Sequence, residues 1–166
     1  MKLLPSLLLG LALAGAARAA DPAEPLRVTW AEHTLRLAPA DLAALPRSEC
    51  TVTDPHTQQA LHFSGVKVSE LLVRAGAPLG EKLHGRMLRL AVIVRARDGY
   101  AVVFGLADFD AAFRPQPILI ADRCNDAPLS AKAAPWQLVV PGDQRPARWA
   151  RMVSSIEVVD LGGNPP

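Results

Sequence analysis

Three arginines, Arg145, Arg148 and Arg151, fall within seven residues around Trp149, just after the turn signal Pro141-Gly142-Asp143. A guanidinium is a planar fork of donors that matches the oxygens of an anion two at a time. At a helix start, free N–H groups and the positive dipole end add to that attraction. The cluster therefore reads as an anion site, or else as a solvated helix start with an Arg–Trp stack. Sulfur chemistry is limited to Cys50 and Cys124. In an oxidising compartment the pair could close a long loop as a disulfide; the competing reading is a free thiol that binds something, or a small buried hydrophobe. Tyr100 follows an Asp98-Gly99 turn and reads as a half-buried strand residue. His33, His56, His62 and His84 stand at no ligand spacing such as His-x-x-x-His and read as surface histidines. Among recognisable motifs there is no Gly-rich phosphate loop, Cys-x-x-Cys pair or Gly-x-Ser-x-Gly elbow, so the nucleotide-binding and serine-hydrolase classes gain no support.

These residues need a scaffold. Residues 1–19 are expected to lie outside it: Lys2 precedes the apolar run Leu3 to Ala14, and Ala17-Arg18-Ala19 offers a small-residue cleavage site. The run is too short for a membrane anchor, and its n-region has one lysine and no Arg-Arg pair, the pattern of a Sec-type leader to the periplasm. Removing it takes away Lys2 and Arg18 and no acid, so 18 basic residues fall to 16 and match the 16 acids. A neutral chain gives no global field for nucleic acid, so any anion binding must come from local clustering. Half the residues are apolar, and the longest later candidate for a span, Leu88 to Leu106, is broken by Arg89, Arg95, Arg97 and Asp98. One exported domain, residues 26–161, is expected.

Within it, Arg27–Trp30 and Thr34–Leu37 alternate as two strands about a tight turn. Pro39–Leu45 is one or two helical turns. Glu49–Asp54 and Ala60–Val66 form a hairpin, and Ser69–Ala75 a short helix with Gly76 behind it. Leu88–Arg95 and Tyr100–Phe104 pair about Asp98-Gly99. A single turn over Asp108–Phe113 precedes an apolar strand, Pro117–Asp122, and a turn at Asn125–Pro128. Trp136–Val140 is a buried strand, Ala147–Met152 a helix, and Ile156–Leu161 a last strand. Many short strands with scattered short helices make a mixed, strand-rich α+β domain.

Four segments in order carry a family resemblance. Ser64-Gly-Val-Lys-Val-Ser-Glu-Leu-Leu-Val-Arg-Ala-Gly76, Asp98-Gly-Tyr100 with Leu106-Ala-Asp108, Ile118-Leu-Ile-Ala-Asp-Arg-Cys-Asn-Asp-Ala-Pro-Leu129 and Pro135 to Val153 resemble the motifs of the sulfite-oxidase-type molybdopterin-binding domain. The resemblance spans roughly Val28 to Asp160 and implies that family's mixed α+β fold. It implies a thiolate ligand to molybdenum at Cys50, beside the alternatives of a disulfide or an inert core residue. It also implies an active-site hydroxyl at Tyr100 that bonds the metal's oxygen ligand, and a clamp on the pterin phosphate at Arg145 and Arg148. Trp149 matches the family's tryptophan and is expected to pack.

Several family features are replaced. Gln137 stands where an arginine is common, Ala133-Ala134 stands for His-Gly, Asp126 for the glycine of Asn-Gly, and Thr51-Val-Thr53 for the residues after the cysteine. Family members are loaded with cofactor inside the cell and exported folded, which a Sec-type leader does not allow. Two functions are therefore expected side by side. One is a periplasmic molybdenum–molybdopterin oxidoreductase of oxygen-atom-transfer type with a periplasmic redox partner. The other is a cofactor-free periplasmic binding or interaction module that takes a small anion or a partner at the Arg145–Trp149 turn.

Overall fold

The computed structural model describes residues 24–54 and 57–162. The expected leader and His56 lie outside the described residues. Alternating side chains place Leu26–Trp30 (β1) and His33–Leu37 (β2) as an antiparallel pair, with Val28 opposite Leu35. Pro39–Ala43 (α1) follows, its proline at a position where a missing N–H costs nothing. Ser48–Thr53 (β3) and Ala60–Lys67 (β4) pair antiparallel, and Val68–Arg74 (α2) buries Val68, Leu71 and Leu72. Leu90–Ala96 (β5) and Ala101–Gly105 (β6) form the expected Asp98-Gly99 hairpin. Leu119–Cys124 (β7), Ala127–Pro128 (β8), Gln137–Val139 (β9) and Val153–Asp160 (β10) complete the strands, with 3-10 turns at Leu106–Phe109 and Pro146–Arg148 among them.

The strands form two sheets. One runs β2-β1-β10-β5-β6, with β1 and β10 parallel and the other neighbours antiparallel. Its register lines up Val28, Ile156, Val94 and Val102 in one buried row. The other runs β3-β4-β7-β8, with β9 also on β7, and its row Val66, Ile120 and Leu138 is fully buried. Gly65 sits where β4 shifts register against β7; a Cβ there would lie 2.1 Å from the Ile120 carbonyl oxygen. Only glycine permits that approach. The strand-rich α+β reading is what the structure has.

Two expectations give way. Ala147–Met152 is not a helix: after the three-residue turn Pro146–Arg148 the chain leaves helical geometry and bends at Arg151 and Met152, because its backbone is used elsewhere. The Leu138 N–H donates to the Ala150 carbonyl at 2.8 Å, Met152 N–H to Ala133 at 3.1 Å, and Val153 N–H to Trp136 at 2.9 Å. Tertiary pairing along β9 thus wins over local helix preference, and the dipole argument for an anion at this turn is lost with the helix. The disulfide alternative fails as well. Cys50 and Cys124 are free and each lies opposite Phe63, on either side of β4. Two strand spacings, about 9.6 Å, exceed the reach of a disulfide.

Candidate ligand-binding cleft

The segment from Val140 to Arg151 joins the two sheets, and the side chains of Asp143, Arg148 and Trp149 within it are already engaged. Trp149 is buried; its indole N–H donates to the Val140 carbonyl at 3.1 Å, and its ring meets Phe63 edge-on, with centroids 6.0 Å apart. Phe63 belongs to β4, so this contact fixes the segment to the second sheet. Tyr100, at the end of the β5–β6 hairpin, donates its hydroxyl to the Ala147 carbonyl at 2.6 Å, which fixes the same segment to the first sheet.

The sequence-predicted residues are placed as follows. Tyr100 does face the turn between Arg145 and Arg148, although its ring is largely exposed. The Arg148 fork closes on Asp143, with Nε to Oδ2 at 2.9 Å and a terminal nitrogen to Oδ1 at 2.5 Å. Its guanidinium also lies over the Phe104 ring, 4.7 Å from the centroid. The hydrogen bond to Asp143 holds its pKa above the ordinary arginine value. Arg145 is exposed, and no described residue forms an ion pair with it. Cys50 is half-buried on β3, and burial pushes its thiol up to about 11. A reactive or ligating thiolate ordinarily has a cation or helix N-terminus beside it; at Cys50 burial is the one influence at work. Among the described residues no cluster of three His, Cys, Asp or Glu could hold a metal ion. His62 lies on the outer face of its sheet, within 3.3 Å of Glu49 and 3.2 Å of Thr51.

Beneath Trp149 lies a cavity of about 260 Å³, lined by Asp54, Leu61, Phe63, Gln137, Pro146 and Arg151 as well as the indole. An adjoining opening of about 470 Å³ shares Trp149 and is bordered by Val52, Gly142, Asp143 and Gln144. Gln137 is the informative residue. It starts β9, is only 8% exposed, and its side-chain amide makes no hydrogen bond to any described residue. Among the described residues no sealed side-chain nitrogen or oxygen lacks a partner, so the free amide opens onto the cavity it lines. A ligand that displaced water from that amide would have to replace the hydrogen bonds the water makes. Sequence reasoning noted Gln137 only as a departure from a family arginine, and Arg151 only as a member of a charge cluster. The available signal was a lone amide in the apolar run Trp136–Val140.

No family model matches the chain, and no curated protein matches it. Among solved structures the chain is similar to the crystal structure of the sulfane dehydrogenase SoxCD from Paracoccus pantotrophus. The TM-score is 0.63 at 19% identity, over 88% of this chain and 40% of that one. The likeness is one of fold. The chain spans well under half the length of the protein it matches.

Proposed function

We propose that this chain is an exported, cofactor-free binding module on the sulfite-oxidase-type scaffold, with the cleft at Trp149 as its ligand site. The observation that carries this reading is the Arg148 fork closed on Asp143. A pterin phosphate there would have to displace a carboxylate that already satisfies the guanidinium bidentately. Of the two arginines, Arg145 alone is then left for the anion. This donor set does not fit molybdopterin. Export follows from the leader-like residues 1–19, and a mature chain beginning at Ala20 is the expected product in the periplasm.

The second reading is an oxidoreductase, favoured by the fold shared with a sulfane dehydrogenase and by the contact of Tyr100 with the Arg145–Arg148 turn. In that reading Cys50 holds molybdenum, and Arg145 with Arg148 holds the phosphate once Asp143 lets go. Molybdenum per chain, measured by elemental analysis on protein purified from its native host, separates the two. A value near zero is expected; a near-stoichiometric value overturns the binding-module reading.

A further inference from the structure

The outer face of the first sheet concentrates positive charge. The register places Arg36 on β2, Arg27 on β1, Ser155 on β10 and Arg95 on β5 in one row across four strands. Arg27 and Arg36 stand directly opposite each other, an arrangement of like charges that destabilises a strand pair. Arg95 has Glu157 at 3.7 Å, whereas among the described residues neither Arg27 nor Arg36 has an ion pair or a side-chain hydrogen bond. Elsewhere the chain does supply acids to its arginines, as at Arg47 with Asp122 and Arg89 with Asp160. One row along, Thr29 faces Thr34, with their hydroxyl oxygens 3.3 Å apart. One hydroxyl donates in that bond, so the hydrogen of the other is free for a third group. Together these side chains line an open depression of about 320 Å³, in which three guanidiniums and one carboxylate leave a net charge of +2.

We propose that this depression binds a phosphate dianion, as inorganic phosphate or as the monoester of a small molecule. With its second pKa near about 6, a phosphate monoester carries close to two charges at neutral pH. That charge cancels the net charge of the lining and offsets the repulsion between Arg27 and Arg36. The two arginines stand on neighbouring strands about 4.8 Å apart, close enough for one anion to bridge both forks. Two independent guanidinium planes and the Thr29–Thr34 and Ser155 hydroxyls offer donors in more than one plane. A tetrahedral oxyanion meets such donors, and a flat carboxylate does not. The volume, at the lower end of the range of about 300–1,000 Å³ for ligand pockets, suits a small ester. None of these residues lines the cleft at Trp149, so the inference goes beyond either reading of that cleft.

The test is titration calorimetry on the full mature chain at low ionic strength with glycerol 3-phosphate, inorganic phosphate and succinate, alongside co-sedimentation with vesicles of phosphatidic acid in phosphatidylcholine. One saturable site for the two phosphates is expected, with succinate at least about tenfold weaker. Inorganic phosphate matching the ester marks the dianion itself as the ligand; an ester preference of about tenfold marks a contribution from its organic part. Arg27→Gln and Arg36→Gln should each weaken phosphate binding by about tenfold or more. Both side chains are exposed, and removing one of two opposed like charges should leave the urea midpoint unchanged or raise it. A structural role would lower that midpoint instead. Absence of saturable phosphate binding overturns the proposal, as does binding that neither substitution weakens. Succinate as tight as the phosphates, or attachment to vesicles without binding of either soluble phosphate, overturns it too. Molybdenum per chain reads the cleft alone, so this inference and the binding-module reading fail independently.

Discussion

Cys50 and Arg148 show how the surroundings of one side chain decide its chemistry. Burial raises the Cys50 pKa from an ordinary 9.0 to about 11, so the folded state holds its proton more tightly than the unfolded chain. The stabilising contribution is complete below pH 9 and is lost as pH rises towards 11. Unfolding in urea between pH 8 and 11 should show a steeper fall in stability than the Cys50→Ala variant shows, since Cys124 is raised by burial too and remains in both, and alkylation of Cys50 at pH 7.5 should be slow. The same slope in both proteins would rule this out. Asp143 matters through Arg148. Asp143→Asn keeps the shape but removes the charge, and should cost about 1–2 kcal/mol in urea unfolding. An unchanged midpoint would mean the pair adds nothing. Of the four site residues marked by the resemblance, Tyr100, Arg145 and Arg148 meet at one turn. Cys50 joins them only through Phe63 and Trp149.

At the scale of elements, the strands were legible wherever side chains alternated or a turn signal stood between them. β1, β2, β5 and β6 fall close to where the sequence puts them, because Asp98-Gly99 and the period-two pattern are local signals. The helix expected over Ala147–Met152 was not, because nothing local reveals that β9 will pair with that backbone. Gly65 shows the opposite case, a motif residue whose reason becomes visible only across strands. Gly65→Ala drives a methyl into the Ile120 carbonyl and the Ala121 backbone, neither of which can yield without breaking the β4–β7 ladder. A loss of about 2 kcal/mol or more is expected, read from the denaturation midpoint. A variant as stable as the parent would show that the strands can separate there.

Across the whole molecule, the two sheets share one core, and the segment from Val140 to Arg151 makes specific side-chain contacts with both. Trp149 reaches Phe63 on the second sheet, while Arg148 covers Phe104 and Ala147 accepts from Tyr100 on the first. Trp149→Ala should cost about 3–5 kcal/mol, a large share of the total stability of an ordinary domain. The loss should exceed that from truncating Trp30, which is only half-buried on β1. Chemical denaturation of the two variants makes the comparison; equal losses would show that the segment does not bind the sheets together.

Chain order alone determined the alternation of strands and the hairpin turns, since each depends on neighbours a few residues apart. Which groups remain free was decided by the tertiary structure. Asp143 closes the Arg148 fork, β4 separates the two cysteines, and Gln137 is left unpaired over a cavity. Hydrogen-bond partners and burial are properties of contacts between distant segments, and residue types in sequence do not carry them.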